Sequence, residues 1–130
     1  MIEHKIGKMP MHLFCNGMAA VQLADIERED EKNRNIIELI GEHSVDGLER
    51  LSRVVQILAR QGELMRRREG YEKNEFPDAE WIVLNAKPLD ILRLREAAIK
   101  AIIEGYSSET SNEDEEDPYL NEYQKKTESH

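Results

Sequence analysis

The sequence predicts a mainly α-helical domain: a small bundle of about five helices, preceded by a short N-terminal β-hairpin and followed by a disordered acidic tail. Three observations carry that expectation. Good helix formers (Leu, Ile, Ala, Glu, Arg, Lys) dominate, and aromatic residues make up only 5% of the chain. Apolar residues recur in steps of three and four along two long stretches. After Gly105 the composition shifts abruptly from apolar to acidic. The 130 residues suit one domain and not two, so residues 1–106 are taken as the helical domain and 107–130 as the tail.

The elements follow in chain order. Residues 2–6 and 9–14 flank Gly7-Lys8, a two-residue turn in which glycine accepts positive φ, so they read as a hairpin. A lone hairpin is marginal in water and must pack on the helices. Asn16 is placed as the N-cap of a first helix, Gly17–Arg28, with Ala19, Leu23 and Ile26 on one face. Residues 27–34 form a charge run that reads as a solvated helix end and loop. The apolar piece at 35–40 is a short helix that Gly41 stops.

Asp46 and Glu49 have the spacing of a capping box at the start of the longest helix. Leu48, Leu51, Val55, Leu58, Gly62 and Met65 then lay one stripe along its length. Glu49, Arg53, Gln56, Arg60 and Glu63 are expected to face solvent. Arg66, Arg67 and Arg68 complement the negative end of the helix macrodipole, and Gly70 terminates it. A loop at 71–77 leads to a short helix at 78–84, in which Trp81 anchors the core or its edge. Pro88 opens the last helix, 88–104, at a favourable first-turn position. Leu89, Leu92, Ile99 and Ile103 line one side of it, and Ile91, Leu94, Ala98 and Ile102 the adjacent side. So wide an apolar face implies a central helix, or one that also meets a partner. Gly105 is expected to end it.

Charge and composition exclude several function classes. The net charge is −9, which argues against nucleic acid or an anionic membrane as the main partner, because phosphate binding needs a basic face. The tail alone holds eight acidic residues against Lys125 and Lys126, with Tyr119, Leu120 and Tyr123 as its apolar content. Cys15, the single cysteine, cannot form an internal disulfide and points to a reducing compartment. The most apolar stretch, residues 9–24, is broken by polar residues and too short to span a bilayer, and it reads as folded structure in a cytosolic protein. His4, His12, His43 and His130 lack metal-ligand spacing. Neither a phosphate-cradling loop nor a nucleophile elbow occurs. No catalytic, cofactor-binding or metal-ligating residue is therefore nominated, and the chain is expected not to be an enzyme.

The order of elements resembles a family. The hairpin HKIGKMPMHLF runs straight into the helix NGMAAVQLADIE. The apolar piece NIIELIG and the long basic-ended helix LERLSRVVQILARQGELMRRREG follow. The helices PDAEWIVLNA and KPLDILRLREAAIKAIIEG close the domain. Over residues 2–105 this pattern is similar to the tail assembly chaperones of long-tailed bacteriophages and prophages of the Gram-positive type.

The resemblance implies a binder of the tape-measure protein, the long apolar helical ruler of the phage tail. Such a chaperone keeps the ruler soluble in the host bacterial cytoplasm while tail-tube subunits polymerise around it, and it is absent from the finished virion. It further implies that several copies, or a homo-oligomer, act along each partner. The side of the last helix bearing Ile91, Leu94, Ala98 and Ile102 is the expected partner-binding surface, with Met9, Met11, Met18 and Met65 as adaptable contacts. Two alternatives stand beside it: a small helical regulatory protein using the Arg66–Arg68 cluster, and a structural connector of the virion.

Overall fold

A computed structural model describes residues 1–107. The expected acidic tail, apart from Ser107, lies outside the described residues. Strands β1 (Ile2–Ile6) and β2 (Met9–Leu13) are followed by helices α1 (Gly17–Arg28), α2 (Ile36–Gly41), α3 (Val45–Arg68), α4 (Ala79–Asn85) and α5 (Pro88–Tyr106). The architecture is mainly helical, as expected, with the hairpin laid against the helices.

The hairpin is antiparallel, with Ile2 opposite Leu13 and Ile6 opposite Met9. Gly7 turns it at φ +58, a conformation that costs glycine nothing. Strand alternation sends Ile6, Met11 and Leu13 inward and leaves Glu3 and Lys5 outside.

Each α-helix begins where a polar side chain satisfies an orphan backbone N–H, an arrangement typically worth about 1 kcal/mol. Asn16 Oδ1 accepts from Ala19 N at 2.9 Å, and its Nδ2 donates to Gln61 Oε1 at 2.9 Å, so one side chain both caps α1 and ties it to α3. Asn35 is the cap of α2 and not its first residue, accepting from Glu38 N at 3.0 Å. Ser44, not Asp46, caps α3 and accepts from Gly47 N at 2.9 Å. Asp46 is the second helical residue, in the first turn, where its charge favours the positive end of the dipole. Gly70, at φ +96, closes α3 as expected.

Helix α3 is the axis of the fold, packing against β2 and against all four other helices. Leu51, Val54, Val55, Leu58 and Ala59 are buried along it. Around it close Leu23 and Ile26 from α1, Ile36, Leu39 and Ile40 from α2, Ile82 from α4, and Leu94, Ala98 and Ile102 from α5. Fully burying a Leu or Ile contributes roughly 1.5–3 kcal/mol, so this cluster dominates stability. The expected stripe is buried at Leu51, Val55, Leu58 and Gly62 and half-buried at its ends, Leu48 and Met65.

Two glycines act through close approach. A Cβ on Gly62 would lie 1.7 Å from the carbonyl oxygen of His12, so β2 crosses α3 at a distance only glycine permits. Alongside, Phe14 N donates to Leu58 O at 3.1 Å. Gly105 does not end α5, which runs on to Tyr106. Its missing side chain lets the helix approach Cys15, whose oxygen would lie 2.4 Å from a Cβ at that position.

Candidate partner-binding surface

The side of α5 expected to meet a partner is core. Leu94, Ala98 and Ile102 have no solvent exposure, and Ile91 is half-buried against the same cluster. The reason is size: Ala97, Ala98 and Ala101 are also buried, and these small side chains bring that face of the helix close to its neighbours. What α5 leaves uncovered is the opposite edge of its apolar face, Leu89 at 55% and Leu92 at 49% exposure. On the preceding helix, Leu84 at 75% and Val83 at 39% are also exposed. Ile99 and Ile103, expected beside Leu89 and Leu92, are half-buried against the core instead.

Local chemistry fixes the corner that presents these residues. Asp78 caps α4 by accepting from Trp81 N at 2.7 Å, and Ala79 N donates to Gln56 Oε1 of α3 at 3.0 Å. Asn85 Nδ2 returns to Trp81 O at 2.8 Å, closing α4 after two turns. Lys87 N donates to Asp90 Oδ2 at 2.9 Å, and Pro88 presets the first turn of α5. Trp81 packs half-buried at the core edge, where its ring anchors the corner.

Beside the corner an open groove of about 560 Å³ runs to the hairpin turn. Ile6, Met9, Pro10 and Trp81 give it an apolar floor, and Lys8, Lys87 and Asp90 stand among its lining residues. His4 lies close by. Burial lowers its tendency to protonate, with Asp90 opposing that and Arg93 reinforcing it.

The arginines at the end of α3 are committed within the domain. Glu63, expected in solvent, is buried at 3% exposure. It accepts from Arg66 at 2.8 Å, from Arg67 at 2.7 Å and from Asn74 N at 2.8 Å. Desolvation pushes its carboxyl up, but the Asn74 amide and the two guanidinium groups outweigh it and hold the group below its ordinary range. Arg66 and Arg67 donate onward to the carbonyls of Glu72 and Asn74, and the Arg66 guanidinium stands 5.3 Å over the Tyr71 ring. The cluster thus pins the 71–77 loop to α3 and leaves Arg68 as its exposed cation. A nucleic-acid face has little to draw on there.

The charge run after α1 is likewise more than a solvated loop. Glu27 accepts from Ile36 N at 2.8 Å, fixing the start of α2. Asp30 holds Arg34 through both carboxylate oxygens, at 3.1 and 3.3 Å, and those side-chain hydrogen bonds pull its carboxyl down to about 2. Arg34 also meets Glu42 at 3.6 Å, and Glu42 pairs with Arg50. Cys15 is buried, and burial pushes its thiol up to about 11, where it stays protonated and poorly nucleophilic.

Among the described residues no group of three or more His, Cys, Asp or Glu side chains could hold a metal ion. No helix among them is long and apolar enough to cross a membrane. No family model, curated protein or solved structure matches the chain.

Proposed function

We propose that this chain is a non-catalytic assembly chaperone of the long-tailed phage kind. It binds the apolar, helical tape-measure protein in the host bacterial cytoplasm and helps recruit tail-tube subunits around it. The observation that carries the reading is the uncovered apolar edge formed by Leu84, Leu89 and Leu92 in a chain whose residues are 35% charged. Exposed large apolar side chains close together in the sequence are a candidate binding surface, and they suit an amphipathic helix laid against them through contacts spaced three and four residues apart. The order of elements, hairpin then helices, is the one on which the resemblance rests. Geometry favours many copies per partner. A domain of about 105 residues has a radius of gyration near ~13 Å, whereas a ruler helix rises about 1.5 Å per residue.

The test is coexpression with the tape-measure protein of the same genome. The ruler should become soluble and copurify with this chain through moderate salt, because apolar contact is not screened as surface charge is. A ruler that stays insoluble, or elutes free of the chain, overturns the reading.

A further inference from the structure

The groove between the hairpin turn and the α4–α5 corner differs from the leucine edge in being both apolar and cationic. Its floor carries Met9, Pro10 and Trp81, and Lys8 and Lys87 contribute positive charge. The lone lining carboxylate, Asp90, is already engaged by the Lys87 amide. A complementary occupant needs carboxylates followed closely by an aromatic or aliphatic side chain. One segment of this chain has that composition: Glu113, Asp114, Glu115, Glu116 and Asp117, then Pro118, Tyr119 and Leu120.

We propose that the groove is the docking site for residues 113–120 of the same chain, the carboxylates meeting Lys8 and Lys87 while Tyr119 and Leu120 cover Trp81.

The reach is sufficient. Helix α5 has 19 residues, so its two ends stand about 28 Å apart at ~1.5 Å per residue. Ser107 follows the far end, and Tyr119 is twelve positions beyond it. An extended chain of that length spans up to roughly 40 Å at ~3.3 Å per residue. Tethering raises the effective concentration of the segment to the millimolar range, so individually modest ion pairs and one aromatic contact are enough to close it. The inference stands apart from the chaperone reading, since it requires no external partner.

Trp81, the sole tryptophan, reports on the site. The experiment compares the full wild-type chain with the full chain carrying Tyr119→Ser and Leu120→Ser, by tryptophan emission and by ¹⁵N amide spectra. Removing the two contacts should move Trp81 emission to the red and shift the amides of Gly7, Lys8, Trp81 and Asn85, with the circular dichroism unchanged. Raising salt on the wild type should move the same signals the same way, because the exposed ion pairs are screened. Superimposable spectra of the two proteins overturn the proposal. So does a wild-type signal that fades on hundredfold dilution, which would assign the groove to a second copy's segment.

Discussion

Replacing Gly62 by alanine probes how the hairpin is seated. Alanine in a helix interior is normally favoured over glycine by about 1 kcal/mol, so propensity alone predicts a more stable protein. The structure predicts the opposite. The new Cβ would fall 1.7 Å from His12 O and 2.6 Å from His12 C. Both are backbone atoms and neither can rotate away, so β2 must lift from α3. Overpacking of this kind costs typically about 1–3 kcal/mol, occasionally more. Lifting the strand also weakens the Phe14 N to Leu58 O hydrogen bond of 3.1 Å, worth about 1 kcal/mol. Net of propensity, a loss of roughly 1–3 kcal/mol is expected from these terms, which lowers the melting temperature by about 5–20 °C in a domain of this size. Gly41→Ala is the control, because nothing lies within 4 Å of its added Cβ, and it should melt at or slightly above the wild type. Thermal denaturation followed by circular dichroism reads both. A Gly62→Ala protein that melts with the control would refute the close crossing of β2 over α3.

Three further outcomes are expected. Leu94→Lys should unfold the domain, because Leu94 has no exposure and an unpaired buried charge is severely penalised; native-like circular dichroism would return that side of α5 to the surface. Glu63→Ala should cost about 2–3 kcal/mol in urea denaturation, a value below the sum of three charge-assisted hydrogen bonds because Arg67 is partly exposed, and the 71–77 loop should become sensitive to protease. Acid should act through Asp30, Glu42 and Glu63, all held below their ordinary values. A lowered folded-state pKa means their stabilisation is complete above the unfolded carboxylate value of about 4 and disappears as pH falls through the folded one, about 2 for Asp30. Arg34→Ala should therefore lower the melting temperature at pH 6, with the gap to wild type closing toward pH 2.

Much of this fold was legible because its signals are local. A three-and-four step of aliphatics defines α3, Asn16 is a residue that caps, and Gly7 marks the turn. The structure departs from the sequence pattern where local chemistry is degenerate and tertiary neighbours decide. Ser44 and Asp46 can both cap a helix, and only the path of the chain from Glu42 selects the serine. Gly105 carries the composition of a stop signal but serves as a contact point for Cys15. Glu63 sits off the apolar stripe, yet the returning loop buries it beside two arginines; the i+3 and i+4 spacing to Arg66 and Arg67 was the available clue. Helix α5 has two apolar sides, Leu89, Leu92, Ile99 and Ile103 against Ile91, Leu94, Ala98 and Ile102. Ala97, Ala98 and Ala101 mark the closely packed one, which holds Leu94 and Ile102 in the core, and Leu89 and Leu92 stay exposed on the other.

The claim that the exposed leucine edge captures a helical partner is tested most directly by native mass spectrometry of the complex with the tape-measure protein, comparing wild type with the Leu89→Lys/Leu92→Lys double variant. Both positions are about half exposed, so the variant should keep the circular dichroism and melting temperature of the wild type. Wild type should appear at several copies per partner chain and the variant should appear unbound. A folded variant that loads onto the partner at wild-type stoichiometry would contradict the account.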